Sequence, residues 1–195
     1  MSGTWFTSDL HLGHNRVAGI RGFDNTDRHD ETIIRNWTSR VRDRDTIYVL
    51  GDLTCDRRKR EYALAVIEEL PGTKHLISGN HDDVSSIHRT GWKYLSYYLK
   101  VFASVRDFAR IRIRKADILM SHYPYDGDRP GDFRYSEYRL PDCGVPLLHG
   151  HTHLANQTLH WSARVTPQVH VGLDAWGLFP VPLASIERLL WREDT

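Results

Sequence analysis

Five short polar motifs recur along the chain in a fixed order: Asp9-Leu10-His11, Gly51-Asp52, Gly79-Asn80-His81-Asp82, Ser121-His122 and Gly150-His151-Thr152-His153. Imidazole nitrogens and carboxylate or amide oxygens are ligands for divalent cations, and one carboxylate can bridge two ions. A set of Asp, His and Asn delivered at strand ends therefore suits two adjacent metals. Taken singly, each residue has a commoner structural role. Asp9 would be a turn residue or helix cap, His122 a hydrogen-bonded core histidine, and His149, His151 and His153 one face of a strand. The joint pattern points to metal chemistry instead. Gly51, Gly79 and Gly150 suit tight strand-to-loop turns where backbones approach closely. His11 lies two residues from Asp9, and His153 two from His151. In an extended chain that spacing puts both side chains on one face, so two such pairs can grip from opposite sides.

The elements that must position these motifs are short. Thr4 to Ser8 reads as a buried strand ending at Asp9. The periodicity predicts a helix over His29 to Val41, with Asp30 as its cap and Ile33, Ile34, Trp37 and Val41 at helical spacing. Thr46 to Leu50 is a second strand, Arg60 to Leu70 a second amphipathic helix closed by Pro71-Gly72, and Lys74 to Ser78 a third strand. This alternation argues for an α/β fold with a partly parallel sheet, in which ligands bind beyond the carboxyl ends of the strands.

The second half is richer in strand formers. Tyr97 to Val105 and Phe108 to Met120 carry many β-branched and aromatic residues. Arg110, Arg112 and Arg114 alternate with Ile111 and Ile113, as in a strand with one wet and one buried face; the arginines fit a solvated face or a guarded sheet edge better than a phosphate-binding row. Pro146 to His149 and Gln168 to Val171 read as further strands, and Leu183 to Trp191 as a closing helix. The predicted architecture is α/β, two stacked mixed β-sheets flanked by helices, the second sheet more antiparallel, in one domain over residues 1–195. Residues 123–143 form the one long irregular segment. A loop of that length inside a compact domain is usually functional or disordered; it begins directly after His122, so a substrate-covering role is expected over a passive insertion.

Composition narrows the classes further. The 195 residues are 40% hydrophobic and 26% charged with a net charge of +1, ordinary for one globular domain. That balance gives no general nucleic-acid footprint, and the basic run Arg57-Arg58-Lys59-Arg60 fits the wet first turn of a helix. Cys55 and Cys143 are the two cysteines; neither stands in a paired metal spacing, which favours free thiols in a reducing compartment. No stretch has the length of a membrane span, and the first residues lack the pattern of a signal peptide. A cytoplasmic location with no membrane partner is expected.

The five motifs, in this order over residues 9–153, resemble the calcineurin-like metallophosphoesterase family, whose pattern is Asp-x-His, Gly-Asp, Gly-Asn-His-Asp/Glu, a lone His and Gly-His-x-His. The opening Ser8-Asp9-Leu10-His11-Leu12-Gly13-His14-Asn15 and the closing Val169-His170-Val171-Gly172-Leu173-Asp174-Ala175-Trp176 resemble small bacterial and phage members. The resemblance implies that Asp9, His11 and His153 hold one ion, that Asn80, His122 and His151 hold the other, and that Asp52 bridges them. It implies two divalent ions, manganese first and iron, zinc or nickel as alternatives. It makes His81 a proton donor rather than a ligand, with Asn80, His81 and His14 toward the substrate and Asp82 in a supporting catalytic role. Asp56 is a further supporting candidate, although Asp56-Arg57 falls one residue later than in the family's Gly-Asp-x-x-Asp-Arg segment. The implied reaction is hydrolysis of a phosphodiester, such as a cyclic nucleotide, another small nucleotide or a nucleic-acid end, by a hydroxide shared between the ions. Paired ions about 3.5–4 Å apart clamp both the entering and departing oxygens of such a displacement. A phosphomonoesterase, a nuclease acting on nucleic-acid ends and a non-catalytic scaffold of the same fold are the alternatives.

Overall fold

The computed structural model describes residues 2–128, 134–155 and 159–191. Ten strands form two five-stranded sheets. In the first, β1 (Thr4–Thr7), β2 (Thr46–Val49), β3 (Thr73–Ile77) and β4 (Ser104–Arg106) run parallel, and β10 (Val181–Pro182) pairs antiparallel with β1. In the second, β6 (Ala116–Ser121), β7 (Leu147–His149) and β9 (Pro167–His170) run parallel, flanked by antiparallel β5 (Phe108–Ile113) and β8 (Leu159–Trp161). The expected α/β fold with two mixed sheets, the second more antiparallel, is what the chain adopts. Among the described residues no helix is long and apolar enough to cross a membrane.

Alternation within the strands builds two cores. Ile47, Val49 and Leu76 face α2 (Thr26–Arg40) and α3 (Arg60–Glu69), meeting Ile33, Trp37, Leu64 and Ile67. Phe6 and Ile77 face the second sheet, meeting Ile118, Met120, Leu148 and Val169, with Ile186 of α5 (Leu183–Leu190). Such two-sided burial explains why the central strands read as unbroken apolar runs. Past the strand ends the sheets touch through a parallel bridge between Ser8 and Gly172, with the Leu173 N–H donating to the Ser8 carbonyl at 3.1 Å.

Four expectations need correction. The first long helix starts at Thr26, not His29, because the Asn25 side chain caps it by accepting from the Arg28 N–H at 2.9 Å. Asp30 is instead buried inside it and accepts from the Gly13 N–H and the Tyr62 hydroxyl. Residues 97–105 are not a strand: α4 (Leu95–Tyr98) ends there and only β4 is extended. Tyr94, Tyr98, Val101 and Phe102 reach the core at helical spacing, a period that aromatic content disguises. Phe108 to Met120 is not one strand but a hairpin, β5 and β6, turned by Arg114 and Lys115 at φ +48° and +70°. Two consecutive left-handed residues give the turn that matches strand twist, and Arg-Lys lacks its usual Asn-Gly signature. Finally, α1 (Asn15–Ile20) and β8 went unanticipated.

Glycine is required where the β2 and β3 ends approach. A Cβ on Gly51, at φ +89°, would stand 2.5 Å from the Gly79 nitrogen. Gly51→Ala is expected to lower unfolding free energy by at least about 2 kcal/mol, since left-handed strain and overpacking add; urea denaturation of the metal-free protein measures it.

Candidate dinuclear metal centre

Every candidate ligand stands just past the carboxyl end of a parallel strand: Asp9 and His11 after β1, Asp52 after β2, Asn80 after β3, His122 after β6, and His151 and His153 after β7. Both sheets thus aim their strand ends at one place. Five of these residues have left-handed backbone: Asp9 at φ +59°, His11 at +50°, Asp52 at +58°, His151 at +72° and His153 at +53°. Each such conformation in a non-glycine residue costs on the order of 1–3 kcal/mol and persists only where the surroundings enforce it. Here the Asp9 and His11 N–H groups donate to the Gly51 and Asp52 carbonyls, both at 3.0 Å. The His151 N–H donates to the Asp9 carboxylate at 3.0 Å. Asp9 and His11 converge because both turn back, not because an extended strand puts them on one face.

Two groups of donors result, Asp9 with His11 and His153, and Asp52 with His122 and His151; within each group the ligand atoms lie within 4.8 Å of one another. His11 Nε2 is 3.0 Å from His153 Nε2, and His122 Nε2 is 3.2 Å from His151 Nδ1. Asn80 Oδ1 lies 3.1 Å from His122 Nε2, joining the second group. Asp52 Oδ2 stands 3.9 Å from His11 Nε2 and 3.4 Å from His122 Nε2, reaching both groups as a bridge must. Ligands about 2 Å from one ion stand roughly 3 Å apart, so the spacing fits a cation in each group. The His-x-His block is divided, His153 serving one group and His151 the other.

All four ligand histidines have their outward nitrogen fixed, which decides which nitrogen faces the centre. His122 Nδ1 donates to the Leu50 carbonyl at 2.7 Å. His153 Nδ1 meets Asp174 Oδ2 at 2.8 Å, and His151 Nε2 meets Asp128 Oδ2 at 3.0 Å. His11 Nδ1 lies 2.8 Å from Cys55 Sγ. Burial, then the charges of Asp52 and Asp9, push that thiol up to about 12, so Cys55 stays a thiol; a His11 that ligates through Nε2 carries its proton on Nδ1 and donates it to that sulfur. Burial holds His11 itself down to about 3, a neutral ligand, against the pull of Asp52 and Asp9.

The two carboxylates behind the His-x-His block are themselves clamped. Arg21 grips Asp174 with Nε at 2.9 Å and Nη2 at 2.8 Å, and also donates to the Asp9 and Leu10 carbonyls. His29 Nε2 accepts from Arg21, leaving its Nδ1–H for Asp30 at 2.7 Å. Asp128 is held by Arg139 at 2.9 Å and Arg134 at 3.0 Å. Burial opposes ionisation of Asp174 and Asp128, but their His and Arg partners outweigh it and hold both carboxyls below the usual range. Of these residues the sequence motifs signalled only Asp174, which lies in the closing segment.

The remaining candidates take distinct places. His81 is exposed, its main-chain N–H donates to Asp52 Oδ1 at 2.9 Å, and its ring centroid is 5.9 Å from that of His11. Among the described residues Asp82 makes no hydrogen bond to an imidazole. Its carboxylate accepts from the Asp52, Leu53 and Gly79 N–H groups at 2.8–3.0 Å, tying two ligand turns together. Burial and the Asp52 charge push that carboxyl up to about 7 despite those donors. His14 caps α1 through Nδ1 at 3.2 Å from the Val17 nitrogen. Asp56 pairs with Arg58 at the surface. Arg110 and Arg112 of β5 and Arg114 of the turn after it are exposed, as read from the sequence, with Arg110 paired to Asp117 across the hairpin.

Two mixed sheets that present a bridged double cage of Asp, Asn and His at their strand ends define the metal-dependent phosphoesterase class. The chain belongs to the calcineurin-like phosphoesterase superfamily, whose domain model matches residues 6–168. It is 41% identical over 189 residues to the gene 66 protein of Mycobacterium phage L5, covering 91% of this chain and 89% of that one. The gene 66 protein of Mycobacterium phage D29 is 37% identical over 182 residues, with 90% of each covered. Among solved structures, the protein of unknown function AQ665 from Aquifex aeolicus superposes with a TM-score of 0.72 at 23% identity, covering 97% of this chain and all of that one, and shares the fold.

Two expectations arise from this geometry. Partners of ligating histidines typically contribute about 10–100-fold to metal affinity. Asp174→Asn and Asp128→Asn should each weaken Mn²⁺ binding by that amount, read by calorimetry and metal content. Proton release is the second. Burial opposes a charge on His122, but Asp52 and Asp9 raise it to about 9 in the metal-free protein. An incoming metal must displace that proton, so affinity should rise about tenfold per pH unit up to about pH 9. Titration in buffers of differing ionisation enthalpy should show the proton leaving at neutral pH.

Proposed function

We propose that the protein is a dinuclear metal-dependent phosphodiesterase acting on nucleotide diesters. The observation that carries this reading is the Asp52 carboxylate, within 4 Å of ligand nitrogens from both groups. Two divalent ions so held supply Lewis acidity and a hydrolytic nucleophile near neutral pH. The remaining tasks fall to the chain's own groups. His81 is exposed beside the cage, with its main chain anchored on Asp52, where its ring can hand a proton to a leaving alkoxide. The side chain of His153 is 37% exposed, so the centre has an open mouth suited to a diester with groups on both sides. Asn80, whose Oδ1 meets His122, and His14, whose ring centroid is 6.2 Å from that of His11, are the groups assigned to the substrate in this reading. A cover would come from the segment 123–143, of which residues 129–133 lie outside the described residues: Tyr135 stacks on Tyr123 at 5.2 Å and stands 5.6 Å from the His151 ring. The mix of carboxylate, amide and imidazole donors, with the thiol of Cys55 turned to the rear of His11, suits manganese first and iron, zinc or nickel after it.

Metal-stripped protein restored with single metals should cleave methyl p-nitrophenyl phosphate faster than p-nitrophenyl phosphate, and should open 2′,3′-cyclic or 3′,5′-cyclic nucleotides. His81→Ala should keep metal binding and slow alkyl leaving groups by about 10²–10⁴-fold, with a far smaller loss on aryl esters. Faster monoester turnover would overturn the diester assignment, and equal losses on both leaving groups would remove His81 as proton donor.

A further inference from the structure

Beside the ligand Asn80 lies a hollow of about 390 Å³, within the size range of small-molecule sites. Val84, Leu95 and Val105 supply apolar surface, Trp92 an aromatic wall, and Arg89 and Arg106 two guanidinium groups. The Trp92 side chain is unusual for its size in being 72% exposed. Lys93 Nζ stands 5.7 Å from its ring centroid. Among the described residues neither Arg89 nor Arg106 has a carboxylate partner. The hollow is tied to the metal centre through His88, which lines it and donates from Nε2 to the Asn80 carbonyl at 3.1 Å. Arg57, also cationic, donates to the other nitrogen of His88 at 3.2 Å.

At the far wall stands Asp107. Its Oδ1 accepts from the Ser78 hydroxyl at 2.7 Å and the Ser86 N–H at 3.3 Å. Its Oδ2 accepts no hydrogen bond among the described residues. The hollow continues past Ser78, Ser86 and Asp107 into a second one of about 230 Å³ that reaches Tyr123, the neighbour of the ligand His122. Apolar surface, a flat exposed indole, an acceptor edge and unpaired cations match the parts of a nucleotide. The base stacks and offers N–H donors, and the phosphates meet the arginines.

We propose that the Trp92 hollow binds the nucleobase of a nucleotide whose phosphodiester lies at the metal centre. This rests on the phosphodiesterase reading above and specifies its substrate class. The base can belong to a single nucleotide or to a longer strand, in which case the second hollow takes the neighbouring residue. Aromatic stacking is sequence-tolerant and removing the ring costs about tenfold or more per base.

The test compares kcat/KM for thymidine 5′-(p-nitrophenyl phosphate) and methyl p-nitrophenyl phosphate, which share a leaving group, on metal-restored protein, with oligothymidylate binding by anisotropy alongside. Wild type should favour the thymidine ester by about tenfold or more. Trp92→Ala should erase that preference while methyl ester turnover stays within twofold, and Trp92→Phe should retain most of it. Arg89→Ala with Arg106→Ala should weaken oligothymidylate and flatten its salt dependence. Loss on both nucleotide probes assigns the hollow to a single nucleotide, and loss on the oligomer alone assigns it to a strand; either supports a base site. An unchanged thymidine preference together with unchanged oligothymidylate binding in Trp92→Ala, with the methyl ester still cleaved, overturns the base site. Absence of diester cleavage by wild type with every metal overturns the phosphodiesterase reading instead.

Discussion

Seven side chains that carry lone pairs are pointed at one small, mostly buried volume, and the rest of the structure is organised to tolerate that. Without cations the arrangement stacks imidazole nitrogens 3.0–3.2 Å apart beside two buried carboxylates. It also holds five residues in left-handed backbone. Neither feature is favourable by itself. The fold meets the cost with rigid parallel strands that end at a common level, glycines that let the β2 and β3 turns touch, and the Asp82 carboxylate that ties those turns through three main-chain donors. The scaffold therefore brings the parts of the cage together, and bound cations would offset the cost of holding them there.

Local pattern carried much of this. The order of the polar motifs, their glycines and their places after apolar runs all depend on neighbours in sequence, and these the chain displays openly. Trp37 and Ile33 declared their helix face in the same way. What stayed hidden depends on contacts between distant segments. Nothing near Asp128 says that its carboxylate will meet His151, and nothing near Arg21 says that it will span Asp174 and the Asp9 carbonyl. Residues 97–105 have a strand-like aromatic and β-branched composition, although the burial of Tyr98, Val101 and Phe102 follows a helical period. The Asp9 and His11 pair shows a subtler gap: the spacing pointed to convergence, but left-handed turns achieve it, and φ signs are not written in residue spacing.

The supporting residues also explain an asymmetry of the site. On one side Arg21, His29, Asp30 and Tyr62 link the Asp174 carboxylate to α2 and α3. That side is anchored in the core of the first sheet. On the other side Asp128 belongs to the segment after β6, and Arg139, which holds it, also lies over the Tyr123 ring at 5.5 Å. One candidate ligand histidine is thus fixed through α2 and α3 to the core of the first sheet, and the other to the segment that follows β6.

His151 and His153 are separated by Thr152 alone, yet they serve opposite halves of the cage. One short turn, strained at both ends, is shared by two binding events. Whichever ion arrives first fixes that turn and removes its freedom, and the second ion then finds its histidine already in place. Such shared ordering is a source of positive cooperativity. A half-filled species should therefore be scarce, and the protein should pass from empty to doubly loaded almost as a single step as metal becomes available.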